Sequence, residues 1–294
     1  YIGKIVGYSS DILSSFMLSL MACSLFPSFL AQQHFITYAT AQKLQTLTFA
    51  IIWISLITAF AALVFSHFRI KSKHTDNFLL EGLYISIVSS GTLLFFILKI
   101  LDISIPPNNV WGAVHFDPFF AYFAGLIGAV LIGFSSEYLT SNRFSPAKET
   151  AEQAQFGTVV SMINAFKIGL RGNSIYLLYL IGIFVISFYF SGFLGITFAS
   201  LGMLSVTPTL LTINMFSSLS SASLKAFQLT EEKNHIFKQL QKADHVGQTT
   251  DAIGNGFASG AALLSAFGLF FALFFTKSTP DTILNLDRLW IIGF

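Results

Sequence analysis

Six stretches of roughly twenty apolar residues, and a seventh that begins polar and becomes continuously apolar, constrain this 294-residue chain more than any motif does. A backbone inside lipid finds no water to bond, so only helices or closed barrels cross a bilayer. Continuous apolar runs without strict alternation read as helices rather than barrel strands. Charged residues make up 10% of the chain, against about 25% in soluble domains, and mean hydropathy is +0.70. The expectation is an all-α polytopic membrane protein, a single transmembrane helical domain over residues 1–294 with about seven to eight spans.

The spans are expected at residues 5–30, closed by Pro27, then 47–68, 79–101, 118–139 and 175–190. A polar segment and a half-apolar run, 156–170, precede the fifth. A turn at Ser191-Gly192 starts the sixth, 193–215, continuing as a polar helix to about 227. The seventh covers 235–275, and 284–294 begins an eighth. Basic residues alternate between the connections: Arg69, Lys71 and Lys73; Arg143, Lys148, Lys167 and Arg171; Lys225, Lys233, Lys238 and Lys242. By the positive-inside rule these loops are cytoplasmic, and a prokaryotic inner membrane is the expected location. Both ends lie in apolar sequence and look cut, as in a piece of a longer reading frame.

Ionisable groups inside spans are the default functional signal, because lipid penalises them. They are few. Asp11 lies in the first span. Glu81 and Glu137 sit at span ends, where an interfacial reading suffices. Asp244 and Asp251 occupy the outer turns of the seventh helix. Small residues at 254, 256 and 258–262 follow them, as close helix packing in lipid requires. No Gly-rich phosphate loop occurs, no His or Cys spacing suits zinc, and Cys23, the one cysteine, can form no internal disulfide. A net charge of +2 gives no reason to expect nucleic acid.

Four ordered segments carry a resemblance. Glu137-Tyr138-Leu139-Thr140-Ser141, followed by Ser145-Pro146, resembles the Glu-Tyr-Tyr-Thr-Ser and Ser-Pro of the membrane-integral inorganic pyrophosphatases. GFLGITFASLGMLS at 192–205 resembles that family's Gly-Ile-Ala-x-Ala-Ala-Leu-Gly-Met-Leu-Ser helix. GQTTDAIGNGFASGAA at 247–262 resembles its Gly-Asn-Thr-Thr-Ala-Ala-Ile-Gly-Lys-Gly-Phe-Ala helix. Residues 3–19 resemble the helix that follows its Asp-Asn-Val-Gly-Asp motif. The resemblance implies the middle portion of a sixteen-helix bundle that works as a homodimer. It also implies coupling of pyrophosphate hydrolysis to proton or sodium transport. Carboxylates would hold magnesium ions around pyrophosphate, above an ion gate of Asp, Glu and Lys.

Carried over residue by residue, most of that chemistry is substituted. The last Asp of the Asp-Asn-Val-Gly-Asp motif falls on Lys4. The gate Asp falls on Asp11 and is kept, while the gate Glu falls on Leu18. On the sixth span the family's acids fall on Asn214, Ser221 and Gln228. On the seventh its Asn falls on Gln248 and its Lys on Asn255. Each lost carboxylate removes charge on which a divalent-cation site depends. Three readings follow: an ion-translocating pyrophosphatase that uses magnesium; a catalytically silent scaffold, acting as homodimer or as partner of an intact subunit; or an unrelated secondary transporter. The silent reading is the expectation, with Asp11 as the gate remnant and Asp244 and Asp251 as the candidate acids.

Overall fold

The computed structural model describes residues 2–32, 36–71, 78–101, 118–141, 144–229 and 235–277. Among these there is no strand. The elements are α1 (Ile2–Gln32), α2 (Tyr38–Lys71), α3 (Phe78–Leu101), α4 (Pro118–Thr140), α5 (Ser145–Gln153), a 3-10 turn (Ala154–Phe156), α6 (Thr158–Leu204), α7 (Thr207–Gln228) and α8 (His235–Lys277). Six stretches of the described residues are long and apolar enough to cross a membrane: Val6–Gln32, Tyr38–Phe68, Leu79–Ile100, one that contains α4, Thr158–Leu204 and Ile236–Phe271. Serine-rich α7 is not among them. The expected eighth span, at 284–294, lies outside the described residues.

Three boundaries differ from the sequence expectation, each for a local reason. Pro27 does not close α1, which runs on to Gln32. A proline removes one backbone donor and crowds the preceding turn, and a neighbouring helix can satisfy the weakened carbonyls. Here Gln45 of α2 donates its Nε2 to the Ser24 carbonyl at 3.1 Å and to Ser28 Oγ at 2.6 Å. The fifth span starts earlier than residue 175, because the half-apolar run joins it as one helical arm from Thr158. The sixth span is interrupted rather than continuous: α6 ends at Leu204 and α7 begins at Thr207, with a proline, Pro208, in its first turn, where the missing donor costs nothing.

The turn expected at Ser191-Gly192 is present. Gly192 sits at φ 60, ψ −147, inside a stretch whose other residues are helical. A side chain there would clash with its own backbone, so glycine alone fits. The chain folds back on itself at this point. A Cβ on Gly195 would strike the Ser187 carbonyl of the opposite arm. α4 lies against both arms: a Cβ on Gly125 would strike the Ala199 carbonyl, one on Gly202 the Tyr122 carbonyl, and one on Gly128 the Ile183 side chain. Close backbone approach of this kind stabilises helices in lipid, where apolar burial alone provides little drive.

Hydroxyl pairs pin the remaining helices. Ser19 of α1 and Ser265 of α8 lie 2.5 Å apart, Ser86 of α3 and Thr209 of α7 2.9 Å, and Ser205 bonds Ser90 of α3 at 3.3 Å. A Cβ on Gly268 would meet Ala22 at 3.8 Å. Residues 19 and 22 thus match 265 and 268, so α1 and α8 run parallel. The core of the bundle holds Tyr122, Phe198, Phe257, Leu44 and Ile51, each fully buried.

Candidate functional site

α7 and α8 meet along a polar seam. On α7, Asn214, Ser217, Ser218 and Ser221 recur at helical spacing and share one face. On α8, Asp244, Gly247, Gln248, Asp251 and Gly254 do the same. Glycine sets the distance between the two helices: a Cβ on Gly247 would stand 2.9 Å from Ser217 Cα and from Ser220 Oγ, and one on Gly254 would stand 3.5 Å from Asn214 Oδ1. Asp251 lies one turn from each contact, on the same face of α8, and is buried.

The wet end of the seam is fully bonded. Ser221 donates its hydroxyl to Asp244 Oδ1, and Gln248 donates its Nε2 to Asp244 Oδ2 at 2.7 Å. Both carboxylate oxygens of Asp244 therefore already accept from neutral side chains. The inner end is different. Asn214 is 1% exposed and Ser217 0%, yet among the described residues the amide oxygen and nitrogen of Asn214 and the hydroxyl of Ser217 have no hydrogen-bond partner. Buried polar atoms are paired in the large majority of cases, so this end of the seam carries unmet bonding capacity.

The structure brings Asn214, Ser221, Asp244, Gln248 and Asp251 together along this seam. Asn255 follows one turn beyond Asp251 and is half-buried. There Tyr176 of α6 donates its hydroxyl to the Gly256 carbonyl at 2.6 Å and lies 3.0 Å from Ser259 Oγ. Gln228 ends α7 and is exposed. Lys4, Asp11 and Leu18 lie on α1. The parallel register carries Asp11 about level with Phe257 and Lys4 about level with Thr250. Asp11 is exposed, and its backbone carbonyl accepts from Ser14 at 2.9 Å and Ser15 at 2.8 Å. Sequence reasoning missed Ser217, although its position three residues from Asn214 and four from Ser221 placed it on the same face. It also missed Tyr176, whose partner is 80 residues away.

Among the described residues no group of three or more His, Cys, Asp or Glu side chains could hold a metal ion. Magnesium demands near-octahedral oxygen ligation and usually one or two carboxylates with substrate phosphates. The seam offers one carboxylate already engaged on both oxygens, one buried carboxylate, and neutral amide and hydroxyl groups. This donor set does not fit a magnesium cage.

A profile of the family described as inorganic H+ pyrophosphatase matches residues 1–293. The chain belongs to that family. Among curated inorganic pyrophosphatase relatives, a K+-stimulated pyrophosphate-energized sodium pump of Thermotoga maritima is 27% identical over 96% of this chain and 39% of its own length. A putative pump of the same description from Clostridium tetani is 28% identical over 70% of this chain and 31% of its own. A K+-insensitive pyrophosphate-energized proton pump of Chloroflexus aurantiacus is 26% identical over 57% of this chain and 23% of its own. The chain therefore spans about two fifths or less of the length of these pyrophosphatases. It is a multi-pass membrane protein of their family.

Proposed function

We propose that this chain is a catalytically silent inorganic pyrophosphatase homologue. It keeps the helix packing of a pyrophosphate-energised pump without hydrolysing pyrophosphate. The observation that carries this reading is that the α7 side of the seam is neutral. Asn214 is buried, with both amide atoms unpartnered among the described residues, at a position where the resemblance implies an acid, and Ser221 stands at a second such position, bonded to Asp244. Gln228, Gln248, Asn255, Lys4 and Leu18 continue the same loss of charged site groups. The close-contact glycines and hydroxyl pairs, by contrast, are the residues a scaffold needs.

On this reading the chain is one helical domain, the counterpart of the middle portion of a sixteen-helix bundle. It acts by association, as a homodimer or as the partner of an intact pyrophosphatase subunit. It resides in an inner membrane with its basic loops cytoplasmic. The deciding test is magnesium-dependent phosphate release from pyrophosphate by the chain in inverted vesicles, against empty-vector vesicles. Release at background level is expected. Release that requires magnesium overturns the proposal and makes Asp11, Asp244 and Asp251 the acids to replace next.

A second reading, an ion-translocating pyrophosphatase that uses magnesium, is favoured by one observation. Asp11 is retained at the position where the resemblance implies the gate Asp. Proton or sodium uptake into the same vesicles on addition of pyrophosphate would support it.

A further inference from the structure

The outer side of α3 and α4 carries an apolar groove of about 580 Å3 that no chemistry of the α7/α8 seam uses. Gly91 forms its floor, where Leu126 Cδ1 comes within 3.2 Å of the place a Cβ would occupy. Phe95 and Phe96 on α3 and Phe119 and Phe123 on α4 form its walls. The Phe95 and Phe119 rings meet edge to face at 5.5 Å, and Phe119 stacks on Phe123 at 5.9 Å. Beside the Phe95 wall stands Lys99, in the last turn of α3, with its ammonium 4.9 Å from the Phe95 centroid.

We infer that this groove holds one acyl chain of a bilayer phospholipid whose phosphate rests against Lys99. Three observations converge. Both helices are long and apolar enough to span a membrane, and the groove lies on their exposed side, where Val88, Phe96 and Phe123 are exposed. Its length matches one leaflet: from Lys99 to Ile87, the deepest lining residue of α3, a helix rises about 18 Å, against about 15 Å for half a hydrocarbon core. Lys99 sits at the end of α3, where a headgroup would lie. A lysine near a helix end reaches the interface with its charged head while its stem covers apolar surface. Aromatic walls present flat, rigid faces to a chain of methylenes, and the floor glycine gives the groove depth that a side chain at 91 would fill.

The experiment uses the full chain in phosphatidylcholine nanodiscs with one of two tracers. One is phosphatidylglycerol carrying a diazirine in its acyl chain. The other is the matching diacylglycerol, which lacks the phosphate. After irradiation, adducts are mapped by peptide mass spectrometry. Phosphatidylglycerol should label α3 and α4 above the exposed face of α2 around Trp53 and Phe60. Diacylglycerol should label the groove roughly fivefold less, the factor for one basic side chain near an anionic surface. Lys99→Gln should bring phosphatidylglycerol down to the diacylglycerol level, and Lys43→Gln should leave it unchanged. Equal labelling by the two tracers, an even spread over α2, α3 and α4, or an unaltered Lys99→Gln would overturn the inference.

Discussion

Among the described residues neither end of the Asn214 amide has a partner, although the side chain is almost completely buried. An unpaired buried polar group costs about 1–3 kcal/mol. Asn214→Leu, of similar volume, should therefore raise thermal stability in detergent by an amount on the order of 1 kcal/mol. A fall in melting temperature would instead mean that the amide bonds something in the folded protein. Gly247 makes the opposite prediction. Its Cβ position lies 2.9 Å from the α7 backbone, so Gly247→Leu should cost roughly 1–3 kcal/mol by pushing the helices apart, read from the same melt. Sequence alone identified Asn214, Ser221, Asp244, Gln248 and Asp251 as positions of interest. It did not reveal that Ser221 bonds Asp244, because that bond crosses between two helices, whereas the Gln248–Asp244 bond lies within one helix at four-residue spacing.

At the scale of elements, one glycine decides whether α6 is a rod or a hairpin. Gly192→Ala forces a side chain into a conformation open essentially to glycine, at a cost of about 1–3 kcal/mol. It should lower the yield of folded, membrane-inserted protein by gel filtration. Gly182, on the first arm of α6 with nothing within 4 Å of its Cβ position, is the control. Gly182→Ala should be neutral or stabilise by up to about 1 kcal/mol, because glycine is a poor helix former. The turn at 191–192 was legible because a small polar residue and a glycine interrupt an apolar run. The break at Ser205-Val206 was not. Pro208 is compatible with a first helical turn or a kink, and only packing chooses. The passage of α1 through Pro27 was likewise hidden, since the residue that eases it, Gln45, belongs to the next helix.

For the whole molecule, the silent reading predicts that no single restored acid recovers activity. Lys4→Asp should give no magnesium-dependent phosphate release above empty vesicles, since one carboxylate does not rebuild a cage. Turnover in that variant would show that the remaining donors suffice. The sequence by itself determined the solvent, the fold class and the family. Long apolar runs in a chain with 10% charged residues admit only helices in lipid, and ordered short segments carried the resemblance. The tertiary structure alone decided which helices touch: that α1 runs parallel to α8, that α4 lies against both arms of α6, and that Asn214 faces the acidic side of α8. The reason is physical. Helix formation in a bilayer is a local demand of the backbone, met residue by residue along the chain. Helix association rests on glycines, hydroxyls and ring edges that act only against a particular neighbour, and a linear pattern does not name that neighbour.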